Sequence, residues 1–209
     1  MNFKLFIFDM DGTIVDSALN FDEMRKELGF PAGVALLEHV ELLSKSEPHE
    51  NILRYMQIIH EHEERGAQRS VPMAGAEEFL KFLDNQNIRK AVLTRNSLPV
   101  ADMTFKKLGW NFEMVVARDC VARAKPFPDG LFHICESMGV LPQECVYIGD
   151  YSFDLDTAKG AGMPAILYSP LDNPELENEA DLVVRCFEKL TQDFDNEFLR
   201  PLKFSPLGP

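Results

Sequence analysis

Long apolar runs are the first thing this sequence lacks: no segment approaches the ~18 consecutive apolar residues that a membrane span needs. Positive charge is also scarce, with 21 Lys and Arg against 34 Asp and Glu and a formal net charge of -13. That balance argues against nucleic acid and anionic membranes as partners, since both demand basic surface. It leaves room for a small anionic ligand, because one lysine and a metal ion can reverse the sign of a pocket. The four cysteines (Cys120, Cys135, Cys145, Cys186) form no CxxC pair and have no companion histidines. Three lie in apolar stretches, the pattern of buried, reduced thiols. The first apolar run, KLFIF, is cut short by aspartate, too early for a cleavable leader. Repeats and low-complexity tracts are missing as well. Together these features predict a cytoplasmic protein, and the 45% apolar content is enough for a sizeable core.

What is present is a set of short apolar runs without alternation: Leu5–Phe8, Ala91–Leu93, Met114–Ala117, Val146–Ile148, Ala165–Tyr168 and Leu182–Val184. Strands of this kind are buried on both faces, as in a parallel sheet covered by helices. Between them, Glu77–Leu83, Ser97–Leu108 and Asp129–Met138 carry helical spacing, with Ser97 as an expected N-cap and Gly109 and Gly139 as stops. The alternation predicts a doubly wound α/β domain. Residues 18–69 differ, showing three helical stretches and no strand. Asn20–Glu23 has the form of a capping box, Gly33–Leu43 is broadly apolar, and a third helix starts near Ser46. We expect a helical cap over 17–72, a core formed by 1–16 and 73–200, and an irregular tail over 201–209. The polar stretch HEHEERGAQRS suits a hinge back to the core. Its histidines, His60 and His62, are two apart rather than the four apart that a zinc helix needs, so a solvated face is expected. PELENEAD is expected to be a solvated loop, and Phe79, Phe82, Phe127 and Phe132 core.

The strand ends carry the chemistry. FIFDMDGT sets Asp9 and Asp11 directly after a buried strand, at the carboxyl edge where α/β sheets bind ligands. Two neighbouring carboxylates repel unless a cation, proton or donor relieves them; the alternative is a solvated Asp-Gly turn. The second strand ends VLTRN, where the Thr94 hydroxyl and the backbone N–H groups of Arg95 and Asn96 could meet a phosphate. Lys125 in RAKPFPDG is stiffened by Pro126 and Pro128. The fourth strand ends YIGDYSFD, with Asp150 and Asp154 four apart around a turn into a helix.

This ordered set resembles the haloacid dehalogenase superfamily, in the phosphoglycolate phosphatase-like branch with an α-helical cap. Its signatures stand here as DMDGT (Asp9–Thr13), Thr94, Lys125 and GDYSFD (Gly149–Asp154). The resemblance implies a Rossmann-like core and a Mg2+-dependent phosphatase working through an aspartyl-phosphate. Asp9 would be the nucleophile and Asp11 the general acid and base. Asp9, Asp11 (through its carbonyl), Asp150 and Asp154 would serve the metal, while Thr94, Arg95 and Lys125 would bind the phosphoryl group. The second aspartate separates this pattern from the dehalogenases, which have no carboxylate there. Implied substrates are small phosphate esters, phosphoglycolate or a sugar phosphate, handled by a monomer or homodimer. Arg25, Lys26 and Lys45 are the cap cations expected to contact them. A phosphomutase similar to β-phosphoglucomutase would share the catalytic residues, and a non-enzymatic phosphate- or partner-binding relative is the remaining alternative.

Overall fold

The computed structural model describes residues 3–194 and Leu202. Six parallel strands form the main sheet: β1 (Leu5–Phe8), β4 (Arg89–Leu93), β5 (Met114–Val116), β6 (Cys145–Gly149), β7 (Ala165–Tyr168) and β8 (Leu182–Val184). Their order is β5-β4-β1-β6-β7-β8. The remaining two strands, β2 (Val15–Asp16) and β3 (Val71–Pro72), form an antiparallel pair of their own. All six apolar runs are therefore strands, to within two residues at each end.

Period-two geometry explains why β1 is apolar throughout: its side chains alternate between two cores. Phe6 and Phe8 enter one cluster with Phe79, Leu83, Phe105 and Phe187, whereas Leu5 and Ile7 enter another with Leu131, Ile134, Leu155 and Ala158. Helices α4 (Ala76–Asn85), α5 (Leu98–Leu108) and α9 (Phe187–Gln192) supply the first face. Helices α6 (Asp129–Met138) and α7 (Ser152–Ala161) supply the second. The chain runs β1, β4, β5 outward, then returns to the far side of β1 for β6. That reversal opens a crevice at the carboxyl ends of β1, β4 and β6.

Three helices are inserted between β2 and β3: α1 (Phe21–Leu28), α2 (Leu36–Leu43) and α3 (His49–Arg69). They share a cluster of Met24, Leu28, Leu36, Val40 and Ile59. The Asn20 carboxamide oxygen accepts from the Glu23 N–H at 3.0 Å, and Gly29 closes α1 at φ 72°. Between β7 and β8 lies one further short helix, α8 (Pro174–Glu177).

Several expectations need correction. HEHEERGAQRS is no hinge; all but its last residue is the end of α3, and the chain returns through the β2–β3 ribbon. Two-residue strands are too short to leave a period in a sequence. Gly33 does not start α2, which begins at Leu36; Gly33 is a turn residue at φ 77°. Ser97 occupies the N-cap position of α5 without using its hydroxyl; the Leu98 N–H donates instead to Asp119 Oδ1 at 2.9 Å. PELENEAD holds α8 rather than only loop, with Glu177 paired to Arg185. Phe79 is core, Phe82 is only partly buried, and Phe127 and Phe132 are exposed. Cys135 and Cys145 are buried, but Cys120 is exposed. The expected tail, 201–209, lies outside the described residues except for Leu202, which is buried in the first core. Among the described residues, no helix is long and apolar enough to cross a membrane.

Candidate active site

Asp9 leaves β1 with its N–H still donated to the Ile148 carbonyl of β6, at 2.8 Å. The chain then turns sharply, with Gly12 N–H bonded to the Val15 carbonyl at 2.9 Å and Gly12 at φ 82°. Only glycine fits here, because a Cβ would collide with the Asp150 carboxylate and the backbone is left-handed. The Thr13 hydroxyl stands 3.2 Å from both Asp9 Oδ2 and Asp150 Oδ1. The turn thus ties the end of β1 to the end of β6.

Lys125 lies beneath these groups, with its side chain 4% exposed. Its ammonium donates to Asp9 Oδ1, to Asp154 Oδ1 at 2.7 Å and to the Tyr147 hydroxyl at 3.1 Å. Tyr147 in turn donates to Asp154 Oδ1 at 2.8 Å. Asp154 Oδ2 accepts from the backbone N–H groups of Asp150 and Tyr151, at 3.2 and 3.0 Å. Asp154 is therefore spent on positioning Lys125 and the turn before α7.

On the other side, the Thr94 hydroxyl accepts from the Asn96 N–H at 3.1 Å, and the Asn96 carboxamide donates to Asp11 Oδ2. The second oxygen, Asp11 Oδ1, is buried with no hydrogen-bond partner among the described residues. These groups form the floor of a cavity of about 310 Å³. Its walls come from the segment inserted between β2 and β3 and include Leu19, Phe21, Met24, Leu36, Leu37 and Ile59.

The electrostatics are set by burial. Removal from water pushes the Asp9 carboxyl well above its usual range; the charges of Asp154 and Asp150 add to this and Lys125 opposes it. Burial, then Asp154, raises Asp150 to about 7. Asp11 is also raised by burial, which outweighs the hydrogen bond from Asn96. Burial works to lower Lys125, but Asp154 and Asp9 outweigh it and hold the ammonium above its ordinary value. Three carboxylates, Asp9, Asp150 and Asp154, thus bring oxygens within 4.8 Å of one another against one ammonium. A hard divalent cation fits this oxygen-only, negatively charged set.

Of the residues singled out in the sequence, Asp9, Asp11, Thr94, Lys125, Asp150 and Asp154 meet in this cavity. Arg95 lines it, but its guanidinium crosses to Glu38 of α2 at 2.6 Å and lies over the Phe153 ring, 4.5 Å from the centroid. Arg25 also lines it, donating through Nε to the Val34 carbonyl and through Nη1 to Asp22, each at 2.8 Å. Lys26 and Lys45 are exposed and outside the cavity lining. His62 and Glu63 are buried rather than solvated. Glu63 reaches the cavity and makes a two-point ion pair with Arg118, at 2.5 and 3.0 Å. The strand-end pattern does not single out the side chains of Tyr147 and Asn96, which the structure adds to the site. Tyr147 does carry a signal: a phenol inside a strand buried on both faces needs a polar partner.

Lys125→Met should destabilise the protein by about 3–5 kcal/mol, because it leaves Asp9 and Asp154 buried without their counter-charge. Denaturant unfolding of the metal-free protein measures this; a midpoint equal to the parent's would contradict the arrangement.

A sequence model of the "Haloacid dehalogenase-like hydrolase" family matches residues 6–168, most of the chain. The phosphoglycolate phosphatase of Pseudomonas savastanoi pv. phaseolicola is 31% identical, over 97% of this chain and 85% of that protein. Hexitol phosphatase A of Escherichia coli is 30% identical, over 91% and 94%. A hydrolase of Pseudomonas syringae superposes with a TM-score of 0.78 at 25% identity, covering 92% of this chain and 98% of that one. Carboxylates, hydroxyl and lysine gathered at the switch point of the sheet agree with these likenesses, and the chain belongs to the haloacid dehalogenase-like hydrolase family.

Proposed function

We propose that this hydrolase is a Mg2+-dependent phosphatase that cleaves a small phosphorylated metabolite through an aspartyl-phosphate on Asp9. The observation that carries this reading is the unequal wiring of the two aspartates. Asp9 is fixed at both oxygens, Oδ1 by Lys125 and Oδ2 by Thr13, so the carboxylate is held in one orientation at the cavity floor with a cation beside it. Such a group is suited to attack phosphorus in line, since positioning and charge compensation are what phosphoryl transfer needs. Asp11 is held by Asn96 through one oxygen only, leaving Oδ1 for a proton. Its elevation by burial keeps more of the acid form than a solvated aspartate would have, as donation to a leaving alkoxide requires. The same carboxylate, once deprotonated, takes a proton from the water that cleaves the acyl phosphate.

Thr94 donates to the phosphoryl oxygens as charge develops, Lys125 supplies positive charge beside them, and Arg95 contributes its backbone N–H rather than its guanidinium. Asp9, Asp150 and the Asp11 carbonyl would hold Mg2+, with Asp154 behind them, and the bound ion would offset the charge of the phosphoryl group. The three inserted helices act as a cap domain over residues 17–72 on a core of 1–16 and 73–200. They exclude water from the cavity and meet the leaving group. A cavity of about 310 Å³ suits a small-molecule ester, in line with the names of the relatives, and the net charge of -13 fits a protein without nucleic-acid or membrane partners. We assign it to the cytoplasm.

A panel of phosphate esters with Mg2+ tests the reading. Free phosphate should appear in step with free alcohol; isomerised hexose phosphate without free phosphate would favour a mutase instead. Proton competition gives a second expectation. Asp150 must lose its proton to bind the cation, and in the metal-free protein it does so near 7. Mg2+ affinity should therefore weaken as pH falls through about 7. Calorimetric titration at several pH values measures this, and a pH-independent affinity would contradict it.

A further inference from the structure

We infer that the leaving group of the physiological substrate is uncharged and largely apolar, a small alkyl or aromatic alcohol rather than a carboxylate or a polyhydroxylated sugar. This rests on the phosphatase reading of the floor and concerns only the opposite half of the cavity. There the wall is built of Leu19, Leu36, Leu37 and Ile59, with Met24 of α1. The mouth adds aromatic surface from both sides. Phe21, at the start of the inserted helices, is 50% exposed, and Tyr151, before α7, is 57% exposed. Tyr151 packs edge-to-face on Phe153, with centroids 5.3 Å apart. Large aromatics left in water at the rim of a ligand cavity gain by being covered.

Each charged group on this side already has a partner of opposite charge. Arg25 spends Nε and Nη1 on Val34 and Asp22. Arg95 is paired with Glu38, and Glu63 is held at two points by Arg118. A carboxylate entering here would face Glu63 and would have to share Arg25 with Asp22 or Arg95 with Glu38, cations whose charge is already offset. Sugar hydroxyls laid against the leucine and isoleucine wall would lose water without gaining partners there, which costs free energy for each one buried. An apolar body loses nothing polar and covers the wall.

The test compares purified, Mg2+-loaded protein on esters that all release a primary alcohol: benzyl phosphate, n-butyl phosphate, phosphoglycolate and glycerol 3-phosphate. kcat/KM should be at least about tenfold higher for the benzyl and butyl esters than for the other two. Leu36→Arg, which sets a cation into the wall, should reverse the order by favouring phosphoglycolate. Phosphoglycolate or glycerol 3-phosphate equal to or better than the apolar esters would overturn the inference while leaving the phosphatase reading intact. So would a selective loss of phosphoglycolate turnover in Arg25→Leu, which would mark Arg25 as a carboxylate ligand. Release of no phosphate from any ester, p-nitrophenyl phosphate included, would overturn both.

Discussion

Asp9→Asn is expected to reduce turnover by at least about 10⁴-fold, to the level of uncatalysed hydrolysis in the same assay. The change is nearly isosteric, yet it alters both properties that the site uses. A carboxamide is not a nucleophile toward phosphorus, and its nitrogen brings donors where Lys125 also donates. The fold should survive, because Lys125 keeps Asp154 and Tyr147 as partners. Phosphate release from p-nitrophenyl phosphate measures the effect, with the thermal midpoint as a control for folding. A variant within tenfold of the parent would remove Asp9 from the chemistry.

Asp11→Asn should lower turnover of alkyl phosphates by about 10²–10⁴-fold, the usual worth of a positioned acid or base. Here asparagine can keep its oxygen on Asn96 and preserve the local geometry, so the loss reports proton transfer. The leaving group then separates the two halves of the role. Nitrophenolate departs without a proton, so formation of the phosphoenzyme should be little affected with that ester, whereas its breakdown should remain slow. Steady-state and single-turnover rates on alkyl and nitrophenyl esters measure the split. Equal losses in every step and for every ester would mean that Asp11 acts in some way other than by moving a proton.

Much of this site is legible in the sequence because it sits where strand burial ends abruptly. Strands β1, β4 and β6 are apolar to their last residues, and each gives way to a polar group at the carboxyl edge. The floor therefore appears in the sequence as three sharp boundaries, Asp9 with Asp11, Thr94, and Asp150 with Asp154, together with Lys125 stiffened by its two prolines. The inserted helices are legible in outline for a related reason, their capping residues and apolar stripes. Less can be read where direction, not residue type, decides the outcome. Arg95 comes after Thr94 in the chain, but its guanidinium is drawn to Glu38, 57 residues away in sequence. His62 and Glu63 lie in a strongly polar stretch and are buried because α3 packs on α1 and α5, which no local pattern reveals. The β2–β3 ribbon is likewise defined by pairing between residues 15–16 and 71–72 rather than by composition. Tyr147 can be found only by asking which partner a buried phenol would need.

The most direct test of covalent catalysis at Asp9 is to trap the phosphoryl group. Asp11→Asn is mixed with Mg2+ and p-nitrophenyl phosphate, quenched in acid within the first turnover, and mapped by peptide mass spectrometry. The predicted result is one phosphoryl group on the carboxylate of Asp9, missing from the Asp9→Asn, Asp11→Asn double variant. Nitrophenol released in a first turnover with no phosphorylated peptide, or with the phosphoryl group on any other residue, would contradict it.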